Sequence, residues 1–498
     1  MGYRRQCPST LVSHGGGPRP MPPQHPGGEP TLTYWFDRSG FTKKGLAAAV
    51  NAHAVRTGHP QIRADGSRVR RWLGGERPRP PVPDLIAAVL SDRCGHHLTA
   101  ADLGLAQPDP GDLTRYRGPA ELLDDLAQAT AAHLAHHPGT PGTPSPSPPH
   151  APFDPAQLLP ALDTWAFTAP HALPGTTTTT GRRLGPADAA RIADYTKVFR
   201  TLDNQHGGGS TLHSATGQLA WATRIIHQGT YTEPAGRHLF RELADLAGCV
   251  GWMSHDTAHW PAAIRYLTLA IHAARESGDR NLTAHLLQCL ARVWGYLGRP
   301  DTAADCIALA LYGTRASAHP VLRAGLHSLA ARFAALQGNA PEALRNIRDA
   351  QEIFHQDTPD PLPPYTAYLD HAELSSTLGE VLLFLARTSG QPAHAHTAVE
   401  LLNTAADHRD PARARSRAFD AVAAARALLV VGDLDGAADA GHRAITVGHT
   451  VDSARVQRRL QDLAREATPH TNTPEIHALC EQLGHMAREG RPPGVAVS

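Results

Sequence analysis

At 498 residues the chain is longer than one hydrophobic core can serve, which excludes a single compact domain and points to several units or an extended array. Aromatic residues make up only 5% while alanine and leucine abound, a composition for helices packed through small contacts, so the expected fold class is all-α. A formal net charge of +1 excludes a chain that is basic throughout, and any surface for nucleic acid must therefore be a local patch.

Residues 1–30 are rich in Gly, Pro and His and cannot bury enough apolar surface to offset the entropy of ordering, so a disordered tail is expected. From 31 to 110 the pattern becomes helical. Leu32, Trp35 and Phe36 share one face, followed by Leu46, Ala49 and Val50, then Val69, Trp72 and Leu73, then Leu85, Ile86, Val89 and Leu90, which predicts four short helices. A fifth helix is expected within 111–136, carrying Leu122, Leu123 and Leu126. Residues 137–185, rich in Pro and Thr, read as an extended linker. Pro186 suits the first turn of the next helix, and 186–236 is expected to hold a helical pair broken by the glycines at 207–209.

Beyond residue 237 a repeat emerges. An alanine, a second residue four later and a further alanine three after that recur at Ala263-Leu267-Ala270, Ala303-Ile307-Ala310, Ala343-Ile347-Ala350, Ala398-Leu402-Ala405 and Ala437-Gly441-Ala444. Each triplet falls on one helical face, with small residues that let neighbours approach closely. Turns at 298–301, 338–341 and 432–435 combine Gly with Asp, Asn or Pro and follow another amphipathic stretch. The unit is thus helix, glycine-containing turn, helix, stacked over 237–485, with 486–498 as a second disordered tail. Residues 357–364 read as a proline-rich insertion.

Between Asp37 and Arg79 ten basic residues stand against three acids, an excess of seven positive charges. Asp65-Gly66-Ser67-Arg68-Val69-Arg70-Arg71-Trp72-Leu73-Gly74 reads as a short helix with a polar cap and a glycine stop. Val69, Trp72 and Leu73 fall on one side, leaving Ser67, Arg68, Arg70 and Arg71 outward, as a helix entering a major groove requires. A merely solvated charged face is the competing reading.

The motifs TKKGLAAAVN (42–51), VRRWLGG (69–75), PRP (78–80) and LIAAVL (85–90) resemble the Xre-like helix-turn-helix family. Together with LDNQHGGG (202–209), LAG (246–248), GWM (251–253) and YLDHAEL (368–374), they resemble high-GC bacterial, actinobacterial regulators that join such a domain to tetratricopeptide repeats. The alanine triplet is similar to the second helix of that repeat, although a HEAT-like period also fits a spacing of 40. The resemblance implies that Thr42, Lys43 and Lys44 open a supporting helix beside phosphate and that Trp72 is core. It also implies that Ser67, Arg68, Arg70, Arg71 and Arg77 face double-stranded DNA. It further implies that Trp252, Met253, Trp294, Tyr296, Asp370 and Glu373 line a groove for a ligand, peptide or protein, with core packing as the competing and more ordinary role for most of the first four and surface pairing for the two acids.

No catalytic residues, cofactor or metal site are expected, since the 31 histidines and six scattered cysteines lack ligand spacing and Asp370 with Glu373 have no nucleophile beside them. The N-terminus has no apolar stretch of the signal-peptide kind, so a cytoplasmic protein without membrane contact is expected. The function implied is transcription regulation, with the array sensing a ligand or forming a homodimer. A scaffold with a vestigial helix-turn-helix and a peptide-responsive switch are the alternatives.

Overall fold

The computed structural model describes residues 32–105 (without 77, 80, 95–97, 99, 101, 102 and 104), 118–135, 155–176 and 180–489 (without 357 and 359). The expected tail at 1–30 and the proline-rich centre of the expected linker, with Arg77, lie outside them. All regular structure among the described residues is helical, with one isolated bridge between Arg183 and Thr230. The chain divides into two units, with the boundary between Asp112 and Leu113.

The first unit holds α1 (Leu32–Ser39), α2 (Lys43–Arg56), α3 (Gly66–Leu73) and α4 (Val82–Cys94), in the order the apolar pattern predicts. Thr42 opens α2 by accepting the Gly45 N–H at 3.0 Å, and Asp65 opens α3 by accepting the Ser67 and Arg68 N–H groups at 2.9 and 2.8 Å. Leu46, Val50, Val69, Ile86 and Leu90 are fully enclosed around Trp72. The connection between α2 and α3 is long, yet it is fixed: the Asn51 side chain accepts the Ala64 N–H at 2.7 Å and donates to the Ala64 carbonyl at 2.9 Å.

The second unit begins with α5 (Pro119–Ala135), α6 (Pro155–Trp165), α7 (Pro186–His206) and α8 (Leu212–Gln228). α6 departs from the expected linker. Pro155 sits at its start and Pro160 inside it, so its composition reads as extended chain, while Leu158 and Leu162 supply enough burial to hold a helix against α12. Residues 167–171 are also pinned, with Arg275 donating to the Thr168 hydroxyl at 2.9 Å and Arg280 to the Phe167 carbonyl at 3.0 Å.

Sequential pairs follow: α9 (Glu233–Asp256) with α10 (Trp260–Ser277), α11 (Arg280–Tyr296) with α12 (Pro300–Thr314), α13 (Pro320–Leu336) with α14 (Ala340–Phe354), α15 (His371–Ser389) with α16 (Pro392–His408), and α17 (Ala414–Val431) with α18 (Leu434–Gly448). α19 (Ala454–Ala467) and α20 (Pro474–Glu489) complete the array, and the helix carries through 486–489, where a tail was expected, because Met486 is buried. All five alanine triplets lie on the second helix of a pair and all ten alanines are fully buried. At Gly441 a Cβ would stand 2.6 Å from the Leu479 side chain, which explains glycine at that one centre.

Four of the five turns inside pairs place a glycine at positive φ, Gly298, Gly338, Gly390 and Gly432. In the first pair Ala258 occupies the equivalent position at φ 63°, an L-residue in a left-handed conformation. The turn is otherwise the same: the His259 N–H reaches the Ser254 carbonyl at 2.8 Å, as the Arg299 N–H reaches Trp294 at 2.9 Å.

Candidate functional site

In the first unit the site is a surface. Ser67, Arg68, Arg70 and Arg71 are exposed along α3 while Val69 and Trp72 hold its other side in the core. Thr42, Lys43 and Lys44 are exposed at the start of α2, and a Cβ on Gly66 would stand 3.4 Å from Lys44 Cγ, so the first turns of α2 and α3 share one face. Two helix N-termini and their basic side chains thus lie on one face and make it electropositive. Backbone N–H groups of Arg68 and Ser67 hold the Asp65 carboxyl below the usual range, keeping the cap ionised. Arg68 donates to the Arg63 carbonyl at 2.7 Å and Arg71 meets Glu76 at 3.4 Å, a surface pair of little energetic weight.

In the second unit charge is gathered inside. Arg415 on α17 donates to both carboxylate oxygens of Asp203 on α7 at 2.7 Å and lies 3.4 Å from Asp256 on α9. Asp256, fully buried, also accepts the Gly208 N–H at 3.0 Å and the Ser453 hydroxyl at 2.9 Å. Burial pushes its carboxyl up, but Arg415, Arg455 and these donors outweigh burial and hold it below the ordinary value. Glu380 is shared by Arg332 at 2.7 Å and Arg459 at 2.6 Å, which likewise overcome the effect of burial. These contacts join α7 and α9 to α17 and α19, so the array closes on itself through ion pairs.

The triple glycine belongs to that closure. A Cβ at Gly207 would meet the Asp452 carbonyl at 2.3 Å and one at Gly209 the Asp452 carboxylate at 2.1 Å, while the Asp452 N–H donates to the His206 carbonyl at 2.7 Å. The Gly208 N–H donates to the protein's own Asp256 carboxylate. The segment is a turn built for close backbone approach, as helix-to-helix geometry predicts.

Around the ion pairs lies a cavity of about 120 Å³, lined in part by Arg200, Trp252, Arg292, Tyr368, Glu373 and Phe419. Of the six residues expected to line a groove, Trp252 and Glu373 do so. Met253 and Trp294 do not: Met253 is fully enclosed and Trp294 is 3% exposed, both on core-facing sides of their helices. Tyr296 stacks edge-on against His255 at 5.4 Å outside the cavity. Asp370 opens α15, accepting the Glu373 N–H at 2.8 Å, and pairs with Arg413 at 3.1 Å.

The residues that organise this interior, Asp203, Asp256, Arg292, Arg415 and Arg455, escape a reading of the sequence because their partners are remote. Asp203 and Arg415 are separated by 212 positions. Only the 202–209 motif signals one side of the contact.

Residues 32–106 match the family described as the SP15 N-terminal domain, a span that coincides with the first unit. No curated protein matches the chain. No described helix is long and apolar enough to cross a membrane.

Proposed function

We propose that the protein is a DNA-binding transcriptional regulator whose first unit is an Xre-like helix-turn-helix, with α2 as supporting helix and α3 as the helix that enters the major groove. The observation that carries this reading is the exposure of Arg68, Arg70 and Arg71 on a helix whose opposite side is anchored by Trp72, 5% exposed. Arginines so presented reach guanine O6 and N7 or grip phosphates, and Lys43 and Lys44 add phosphate contacts at the neighbouring helix start.

The second unit, on this reading, is a tetratricopeptide-like sensing or dimerisation array; buried alanine triplets on each second helix and glycine turns at the pair junctions support that assignment. Mapping of bound chromosomal sites in cells expressing the full chain tests the proposal. The expected result is discrete sites that vanish when Arg68, Arg70 and Arg71 are all replaced by Ala; equal occupancy with the variant would refute it.

A further inference from the structure

Five arginines line the cavity, and four of them have carboxylates. Arg200 lies 2.6 Å from Asp245, Arg413 3.1 Å from Asp370, Arg455 3.4 Å from Asp256, and Arg415 grips Asp203 at 2.7 Å. Arg292, among the described residues, makes no hydrogen bond and has no carboxylate within ion-pair reach. The Glu373 carboxylate on the same wall is held by Arg409 at 2.9 Å. The neighbours of Arg292 are ring faces: its guanidinium carbon lies 5.8 Å from the Trp252 ring centre and 5.7 Å from that of Tyr368. Stacking uses the face of a guanidinium and leaves its edge donors unused. Burial works against the charge, but Tyr368 and the more distant carboxylates of Glu373 and Glu380 outweigh it and keep the guanidinium charged; what Arg292 lacks is a direct hydrogen-bonding partner at its edge, which an anion placed there would supply.

The remaining wall fits such a guest. Cys249 and Cys289 line the cavity, and burial pushes both thiols up to about 12, so they stay neutral. Burial likewise pushes His285 down to about 3, with Arg200 and Arg292 adding to the effect, so the imidazole stays uncharged. Trp252, Tyr368 and Phe419 offer ring surface. The volume of about 120 Å³ is on the scale of the ~150 Å³ that houses a benzene ring in an engineered protein cavity.

We propose that this cavity is a binding site for a small aromatic carboxylate, its oxyanion on the edge of Arg292 and its ring among Trp252, Tyr368 and Phe419. The site joins the first helices of successive pairs to α19, so its occupant would brace the closed array. Binding alone judges it, whatever α3 does with DNA.

The test is calorimetric titration and thermal melting of the full chain with benzoate and phenylacetate, each beside its neutral amide. At least one carboxylate is expected to bind one site at least tenfold more tightly than its amide and to raise the melting temperature. R292Q should reduce that carboxylate to the affinity of its amide, and R292K should retain an intermediate affinity. If neither carboxylate exceeds its amide on the wild-type chain, the proposal is overturned without recourse to any variant. Undiminished carboxylate binding by a folded R292Q overturns it as well.

Discussion

The two units use arginine in opposite ways. In the first, Arg68, Arg70 and Arg71 project from a helix held down by Val69 and Trp72, and among the described residues their one ion pair is the exposed contact of Arg71 with Glu76. In the second, Arg409, Arg415 and Arg426 are buried, each bonded to a carboxylate on another element. One residue type therefore projects outward in a small unit with its own core and acts as an internal fastener in the large one. Removing an outward arginine should change what the protein binds; removing an inward one should change whether it holds together.

The largest effect separating the two roles is expected at Arg415. Replacement by Ala leaves Asp203 and Asp256 buried without their main counter-charge, and a loss of ~3–5 kcal/mol is expected in denaturant unfolding. Replacing Arg415 and Asp203 together by Met and Leu should recover much of that loss, and a double-mutant cycle measures the coupling. Close behind stands Trp72→Ala, worth ~3–5 kcal/mol of core packing in the first unit. Hydrogen exchange should then show lost protection across residues 32–94 with the amides of α9 to α18 unchanged.

An intermediate effect is expected from pH. His285 has a folded pKa of about 3, below its ordinary value because of burial, so the unfolded chain takes up the proton first. Its contribution to stability is complete above about 6.5 and is lost as pH falls toward 3. Glu242 opposes this: burial raises its carboxyl to about 7, so its contribution is present in acid and fades as pH rises through 7. Between pH 7 and 5, His285→Gln should flatten the acid-side loss seen in unfolding midpoints and Glu242→Gln should steepen it.

The smallest effect is a gain. Ala258 adopts φ 63° where the other pairs have glycine, so Ala258→Gly is expected to stabilise by ~0.5–1 kcal/mol, read as a rise in midpoint. The same change at an exposed helical alanine should destabilise.

What could be read in advance follows the range of the interactions. Four helices in the first unit and the repeat in the second are set by apolar spacing and by glycine at turns, signals contained within a few residues. The outward arginines of α3 are legible for the same reason, since one turn of helix sorts them from Val69 and Trp72. α6 is hidden by its prolines, whose local preference is overridden by the burial of Leu158 and Leu162. Met253 and Trp252 are adjacent on α9, yet one is enclosed and the other lines the cavity; periodicity reveals an apolar helix but not which side of it meets a neighbour. The pairing of Asp203 with Arg415 depends on how many repeats are stacked, which no local pattern encodes.

The exposed helix can be questioned directly by measuring affinity of the full chain for duplex DNA across a salt series, beside the chain in which Arg68, Arg70 and Arg71 are Ala. Affinity is expected to fall steeply with salt, and the variant to bind more weakly with a log–log slope shallower by about 2–3, because each arginine neutralises about one phosphate. Its thermal stability should stay within about 0.5 kcal/mol of wild type. Salt-independent binding, or an identical slope in the variant, would contradict the assignment of α3 as the DNA-facing helix.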